Sequence, residues 1–447
     1  MTSWPSPERL WEAVAETLEA DILPALSGPT HATALQLSGL ARYAAARGSD
    51  PRPARAAVLA GHMSLSPPVT WAEAAACASD LLVADRQASD DSQRHPLADA
   101  IRRDLRDFLE EDLLTAGPLL ETFARHGSSS VSEQSSRPDE VDALRSWFSA
   151  TLGQTVESFD VRVISGGHSR RMLDVAVGTA TSASRFVVRV EQGGVFATEG
   201  ASEAEVMRSL GSAGFPVAPV RWVEPDRSVL GWPFFVMERV EGEHDADLRA
   251  LSGFAAQLDR LHRLDVEILS SCFPERPGAP EVGVRMAIDR WERAYRSASA
   301  ARVPLLDDAA EWLRSHLTPT GPLCVVHGDP GPGNFIHRRG EVAAVTDWEF
   351  AHIGDAAEDW VYLATLRGVR VMGEDAWKSW LRDEVGVDFE PEVFKAWTAF
   401  NLFKGACANL TAAAVFESGA SSGPNLLAIG TALHSRMLLR LSELIEG

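Results

Sequence analysis

Two carboxylates and one carboxamide lie at a spacing that suits phosphoryl transfer. Asp329 follows His327 and Gly328, Asn334 comes five residues later, and Asp347 lies thirteen residues beyond Asn334. Phosphoryl transfer requires a base beside the acceptor hydroxyl, oxygen ligands for one or two magnesium ions and a hold on the nucleotide phosphates. Carboxylate and amide oxygens are ligands that magnesium accepts. The spacing therefore predicts Asp329 as the base and Asn334 and Asp347 as metal ligands.

The elements around these residues are predicted to bring them to one place. Residues 323–326 form a short apolar run that is typical of a strand end. The segment after Asp329 is rich in Gly and Pro, which excludes a helix or a central strand there. A second apolar run, residues 342–345, ends just before Asp347. Two strands that end beside one loop would gather the three side chains into a cluster the size of a metal site.

Segment 327–334, which reads HGDPGPGN, and segment 347–349, which reads DWE, resemble the two motifs of the aminoglycoside phosphotransferase family of small-molecule kinases. The resemblance implies a protein-kinase-like fold, with Asp329 as the catalytic base and Asn334 and Asp347 as ligands of Mg²⁺. It also implies that ATP or GTP is the co-substrate and that His327 braces the loop without reacting. A chance turn is the competing interpretation, and the second motif at the matching distance argues against it.

A turn between two strands is the predicted lid over the nucleotide phosphates. Segment 165–169 reads SGGHS, in which Gly166 and Gly167 would let backbone amides approach a phosphate. Ser169 would donate a further hydrogen bond. The turn resembles the Gly-Gly-x-Ser turn of a bacterial branch of the family, and it differs from the Gly-rich loop of protein kinases. A plain hairpin turn is the alternative.

A cation and a carboxylate of the small lobe are predicted to hold the phosphates. Arg189 stands where a protein kinase has lysine, and its planar fork can still hold a phosphate. Glu203, on the next helix, matches the glutamate that positions this cation, with Glu205 as the competing candidate. The alternatives are a solvent-facing arginine on an edge strand and a solvated helical glutamate.

Segment 234–242, which reads FFVMERVEG, resembles the hinge that joins the two lobes in this family. Backbone groups around Glu238 to Val240 are expected to bind the adenine edge. Met237 is expected to pack against the ring, to be strand core, or both.

On the acceptor side, Asp359 is expected to brace the catalytic loop or to be an ordinary acid at a helix N-terminus. Lys404 is expected either to contact an anionic group of the acceptor or to be solvated. His262 fits a packing role better than a chemical one. The sequence does not name the acceptor.

The composition narrows the class of protein. The chain has 447 residues, of which 45% are hydrophobic and 23% are charged, as in ordinary soluble proteins. The net charge of -21 argues against binding to nucleic acid or to an anionic membrane. The N-terminus lacks the features of a signal peptide and the four cysteines are scattered, which predicts a cytoplasmic protein. The oligomeric state is left open.

Four regions are predicted along the chain. Residues 1–126 form an all-α region, with helices around 10–22, 35–44 and 97–109, and residues 127–139, GSSSVSEQSSRPD, form a linker. Residues 140–243 form a strand-rich small lobe, and residues 244–447 form a helix-rich large lobe with the catalytic loop and the acceptor site. The predicted class is therefore α+β. The first region resembles a helical domain of unknown function that occurs beside such phosphotransferases.

The predicted function is transfer of the γ-phosphate of ATP or GTP to a hydroxyl of a small molecule. The acceptor would be an antibiotic or a metabolite, including a hydroxyacyl-CoA. The alternative is a nucleotide-binding pseudokinase or adaptor that uses the helical region for interaction. The intact set of Asp329, Asn334 and Asp347 argues against this alternative.

Overall fold

In the computed structural model, helices occupy the first part of the chain, strands the middle and mostly helices the remainder. The structure describes residues 7–48, 50–88, 95–124, 131–135, 138–164, 171–191, 203–244, 247–273, 275–419 and 424–446. The predicted lid residues Gly166, Gly167 and Ser169 lie outside the described residues.

The α-helices described in the amino-terminal region are α1 Pro7–Thr17, α2 Gly28–Arg47, α3 Arg52–His62, α4 Trp71–Arg86 and α5 Ala98–Ala124. The sequence pattern did not predict α3 and α4, because their buried faces consist largely of alanine. In α4, for example, Ala74, Ala75 and Ala78 are fully buried. The start of α4 carries a capping box, in which the Thr70 hydroxyl accepts from the Glu73 amide and the Glu73 carboxylate accepts from the Thr70 amide.

The small lobe consists of β1 Val131–Ser135, α6 Pro138–Leu152, β2 Ser158–Ile164, β3 Arg171–Gly178, β4 Ala183–Val190, α7 Glu203–Ser212, β5 Val220–Glu224 and β6 Phe234–Glu238. The strands form one antiparallel sheet in the order β1-β2-β3-β4-β6-β5. The α6 helix covers one face of the sheet, where Phe148 stacks on Phe186 with ring centroids 5.6 Å apart.

The segment predicted as a linker contains two ordered elements. Within residues 127–139, the stretch Val131–Ser135 is an edge strand paired with β2, and α6 begins at Pro138. A polar stretch such as VSEQS can form an edge strand because only one of its sides needs a backbone partner. The polar composition of residues 131–135 is also typical of a loop, which is why the sequence did not indicate a strand there.

The large lobe contains two pairs of short strands among its helices. Its elements are α8 Leu248–His262, α9 Pro280–Ala298, α10 Pro304–His316, β7 Cys324–Val326, β8 Phe335–Arg338, β9 Glu341–Val345, β10 His352–Gly354, α11 Ala356–Tyr362, α12 Val369–Met372, α13 Glu374–Trp380, α14 Pro391–Glu417, α15 Pro424–Ala428 and α16 His434–Glu446. Strand β7 pairs with β10, and β8 pairs with β9 as a hairpin. The predicted α+β class, with a strand-rich lobe before a helix-rich lobe, is confirmed.

The amino-terminal helices share a hydrophobic core with the large lobe. Buried apolar residues of α3, α4 and α5 belong to the same cluster as those of α10 and α16. Buried ion pairs cross this seam, since Arg86 and Arg102 each lie 2.9 Å from Asp308 of α10. Arg102 also lies 2.8 Å from Asp85. Helices α3, α4 and α5 are thus packed as an additional layer on the large lobe.

Among the residues that the structure describes, no helix has both the length and the apolar character that a membrane crossing requires.

Candidate active site

The loop that carries Asp329 begins where β7 ends, and Asp359 of α11 braces it. The buried Asp359 carboxylate accepts hydrogen bonds from the backbone amides of His327 and Gly328, both at 2.8 Å. It is also 2.9 Å from His262 Nε2. Gly328 has a φ of +87°, and a Cβ there would come within 2.7 Å of the Phe350 carbonyl oxygen. The loop conformation therefore requires glycine at this position.

His327 supports the loop from inside. Its Nδ1 accepts from the Asp329 amide at 3.2 Å, so Nε2 carries the proton that is donated to the Thr346 carbonyl at 3.0 Å. The ring is fully buried and contacts Trp348, with centroids 4.7 Å apart. His327 therefore joins the catalytic loop to the segment that carries Asp347, and neither ring nitrogen is available to react.

Asp329 is the most strongly engaged carboxylate of the site. Arg367 grips it at both oxygens, with Nε 3.0 Å from Oδ1 and Nη2 bonded to Oδ2. Asn334 Nδ2 donates to Oδ2 at 2.8 Å, and the Tyr362 hydroxyl also bonds to this carboxylate. Burial raises the pKa of Asp329, but the Arg367 charge together with the hydrogen bonds from Arg367 and Tyr362 outweighs burial, so the pKa lies below its usual value. Asp329 is therefore charged at neutral pH.

The β8–β9 hairpin brings Asn334 and Asp347 together. Phe335 pairs with Val345 in the hairpin, and the Thr346 amide donates to the Asn334 carbonyl at 2.9 Å. Asn334 and Asp347 therefore lie at the same end of the hairpin. Asp329 is hydrogen-bonded to the side chain of Asn334. The structure brings together the three residues that the spacing singled out.

The oxygens that face this end of the hairpin suit a hard divalent cation. Asn334 Nδ2 donates hydrogen bonds to Asp329. Asn334 Oδ1 accepts no hydrogen bond from any described residue. Asp347 offers Oδ1 to Arg189 at 3.0 Å and keeps Oδ2 without a described donor. One carboxylate and one amide oxygen fit Mg²⁺, which usually keeps waters and takes further oxygens from a phosphate. The described residues contain no group of three or more His, Cys, Asp or Glu side chains that could hold a metal by themselves.

Arg189 is the buried cation of the small lobe. It lies on β4, between β3 and β6, and is therefore not on an edge strand. Its Nε is 2.8 Å from Glu203 Oε2, and its Nη2 bonds to Asp347. Glu205, the competing candidate, is exposed. Burial lowers the pKa of Arg189, but the charges of Glu203, Asp347 and Glu349 raise it above its usual value.

The predicted hinge is only partly available to a nucleotide base. The Glu238 amide already donates to the Pro219 carbonyl at 2.9 Å, and the Glu238 side chain is paired with Arg221. Val240, two residues later, makes no backbone hydrogen bond to any described residue. Of the two predicted residues, Val240 therefore has backbone groups without a described partner, whereas the amide of Glu238 is already used.

The family model described as "Phosphotransferase enzyme family" matches residues 160–397, which is more than half of the chain. The chain belongs to this family. The match covers the small lobe from β2 onward and the large lobe as far as α14. Membership confirms the resemblance predicted from the two motifs and supports kinase-type phosphoryl transfer.

Curated relatives of this phosphotransferase-family chain are much longer proteins. Acyl-CoA dehydrogenase family member 11 of Gallus gallus is 32% identical over 174 residues, which are 36% of this chain and 22% of the relative. Acyl-CoA dehydrogenase family member 10 of Mus musculus is 30% identical over 173 residues, which are 36% of this chain and 16% of the relative. The chain therefore matches about a fifth of the length of these relatives.

Solved structures of antibiotic phosphotransferases are more distant. A macrolide 2'-phosphotransferase type I is 19% identical, with a TM-score of 0.48 and coverage of 67% of this chain and 97% of its own. A thermostable mutant of aminoglycoside phosphotransferase APH(4)-Ia, in complex with ADP and hygromycin B, is 14% identical with a TM-score of 0.45. It covers 67% of this chain and 98% of its own.

Two cations of this phosphotransferase fold were missed or misjudged from the sequence. Arg367, which bonds to Asp329, lies after α11 and belongs to no recognised sequence motif. Its contact with Asp329 can therefore be seen only in the folded structure. Lys404 was expected at the acceptor or in solvent, and the expectation of a solvated side chain is wrong. It is buried, and Nζ donates to the Gly328 carbonyl at 2.6 Å and to Glu358 Oε1 at 2.8 Å.

Proposed function

We propose that this protein is a magnesium-dependent kinase that transfers the γ-phosphate of ATP or GTP to a hydroxyl of a small molecule. One observation carries the proposal: Asp329, Asn334 and Asp347 lie together at the end of the β8–β9 hairpin, opposite the paired Arg189 and Glu203. They would supply the base, the metal ligands and the phosphate-holding cation that phosphoryl transfer requires.

Asp329 would orient the acceptor hydroxyl and take its proton. The acceptor oxygen forms a bond to the γ-phosphorus as the bond from that phosphorus to the β–γ bridging oxygen breaks. ADP or GDP leaves with the bonding electrons, and the hydroxyl proton is held at the Asp329 carboxylate. Because the depressed pKa of Asp329 makes it a weak base, its main contribution is to orient the hydroxyl for in-line attack.

Asn334 Oδ1 and Asp347 Oδ2 would hold the metal, which when bound supplies positive charge to the β- and γ-phosphate oxygens. Asp347 is at present paired with Arg189. A bound triphosphate would give Arg189 new anionic partners while Glu203 keeps the guanidinium oriented. The Asp347 carboxylate would thereby become available as a metal ligand.

We infer that the acceptor is a hydroxylated acyl thioester or a related anionic metabolite. The curated relatives are named as acyl-CoA dehydrogenase family members, which associates this region with acyl-CoA chemistry. An aminoglycoside or macrolide acceptor is the competing outcome of the test below.

The test is a release assay for ADP and GDP with Mg²⁺ and a panel of hydroxyacyl-CoA esters, hydroxy acids, aminoglycosides and macrolides. The expected result is saturable turnover with a hydroxyacyl thioester and a product heavier by one phosphate in mass spectrometry. Turnover with an antibiotic alone would overturn the acceptor class and leave the kinase activity standing. Saturable nucleotide binding without turnover on any acceptor would favour the adaptor alternative.

A further inference from the structure

Lys404 lies inside the large lobe, on α14, in contact with the catalytic loop. Its side chain is 2% exposed, and Nζ lies 4.4 Å from the centroid of the Tyr362 ring. A buried ammonium group is costly unless hydrogen-bond acceptors surround it. One acceptor is the Glu358 carboxylate, and the other is the carbonyl of Gly328, the residue before Asp329. The buried ammonium group of Lys404 therefore donates a hydrogen bond to the backbone of the catalytic loop.

The peptide unit between Gly328 and Asp329 is held at both of its polar atoms. Its carbonyl oxygen, on Gly328, accepts from Lys404 at 2.6 Å. Its N–H, on Asp329, donates to His327 Nδ1 at 3.2 Å. Rotation of this peptide plane would break both hydrogen bonds and would also redirect the bond from Cα to Cβ of Asp329. Glycine at 328 makes such a rotation easy, so the two bonds are what restrain it.

Neighbouring contacts fix Lys404 itself. Glu358, which is 1% exposed, lies 2.8 Å from Nζ and 3.2 Å from His352 Nε2. Asn401, one turn before Lys404 on α14, donates to the Glu358 backbone carbonyl at 2.9 Å. Helix α14 therefore grips α11 at two points and the catalytic loop at a third, which leaves the ammonium group one position to occupy.

We infer that Lys404 is a positioning residue for phosphoryl transfer, which orients Asp329 by fixing the Gly328 carbonyl. The inference rests on the proposed function. It differs from a role in acceptor binding, because the buried ammonium group spends two of its three N–H groups on Gly328 and Glu358. This role also differs from simple neutralisation of the Glu358 charge, because Lys404 Nζ lies closer to the Gly328 carbonyl, at 2.6 Å, than to Glu358 Oε1, at 2.8 Å.

The first test is Lys404→Met, assayed with the best nucleotide and acceptor. A misplaced base should lower kcat by roughly 10- to 100-fold while the KM values for both substrates stay close to wild type. Lys404→Arg, which keeps a cation and several donors, should recover part of the loss. The matched control is Lys395→Met, at a half-buried lysine on the same helix, and it should behave as wild type. A raised KM for the acceptor with unchanged kcat would show substrate contact and overturn the inference.

Lys404→Met alone leaves the Glu358 charge buried with less compensation, so it can also lower stability. The double variant Lys404→Met/Glu358→Gln removes both charges. A folded double variant with kcat as low as that of Lys404→Met supports the positioning role. Recovery of wild-type kcat in the double variant would show that Lys404 only balances Glu358, and it would overturn the inference.

A readout without turnover separates this inference from the proposed function. Hydrogen exchange of the catalytic-loop peptide should be faster in Lys404→Met than in wild type and in Lys395→Met. If wild type phosphorylates no acceptor, the proposed function fails, and the exchange rates still decide the role of Lys404 in holding the loop. Unchanged exchange of that peptide would contradict it.

Discussion

At the scale of single residues, Asp329 has the clearest predicted effect. Asp329→Asn keeps the side-chain shape but removes the negative charge that orients and deprotonates the acceptor hydroxyl. We expect kcat to fall by roughly 10²- to 10⁴-fold, because orientation of the hydroxyl and acceptance of its proton are lost together. Nucleotide affinity should stay near wild type, because the proposed partner of Asp329 is the acceptor hydroxyl and not the nucleotide. Steady-state turnover and a nucleotide-binding titration measure the two quantities, and wild-type turnover in the variant would refute the assignment.

Arg367 sets the pH range in which Asp329 is charged. Burial raises the pKa of Asp329, and Arg367 is the main group that lowers it. In wild type the lowered pKa keeps the base charged until the pH falls below the ordinary range of Asp, about 3.9. Arg367→Met should therefore move the acid limb of the kcat profile to higher pH. The exposed Arg382, changed to Met, is the control and should leave that limb in place.

The sequence predicted clustering for those residues whose positions depend on spacing within one segment. Asp329, Asn334 and Asp347 could be found because they flank two apolar runs. Glu203 was favoured over Glu205 by its distance from the following turn, and the structure pairs Glu203 with Arg189. Arg367 and Lys404 could not be found in this way, because their contacts join segments that are far apart in the chain.

At the scale of elements, predictability depended on the size of the buried side chains. Strands β7 and β9 carry the β-branched apolar residue valine, and the runs that contain these valines, residues 323–326 and 342–345, were recognised. Helix α4 buries mainly alanine and β1 is a polar edge strand, so neither gave a pattern of large apolar residues. A sequence pattern of large apolar residues detects elements that bury a large apolar surface. Elements that bury little apolar surface per residue are therefore missed.

The arrangement of Asn334 and Asp347 at the end of the β8–β9 hairpin predicts that the affinity for Mg²⁺ depends on bound nucleotide. The described site offers one carboxylate and one amide, and Arg189 already occupies part of that carboxylate. In a calorimetric titration, Mg²⁺ should bind weakly to the protein alone and much more tightly in the presence of a nonhydrolysable triphosphate. Asp347→Asn should abolish the difference, and chelation of the metal should stop turnover. Tight Mg²⁺ binding without nucleotide would contradict this account.

At the scale of the whole molecule, the amino-terminal helices and the large lobe form one packed body. The sequence suggested an all-α region followed by a linker, since residues 127–139 are polar. It could not show that α3, α4 and α5 pack on α10 and α16, because the joining contacts span about half of the chain. Composition indicates where a chain is polar, but it does not indicate which surfaces are covered.

The buried ion pairs at this seam predict a cooperative loss of stability. Asp308 is 1% exposed and is the shared partner of Arg86 and Arg102, so Asp308→Ala leaves two guanidinium groups in a largely buried seam with fewer acceptors. Breaking a buried pair in this way costs about 3–5 kcal/mol of unfolding free energy. Asp289→Ala is the matched control, because its ion pair with Arg314 is half exposed and contributes about 1 kcal/mol or less. Urea unfolding followed by tryptophan fluorescence should show one transition for wild type, shifted strongly by the first change and little by the second. An equally small shift for Asp308→Ala would mean that the helical layer is held to the large lobe by its apolar contacts alone.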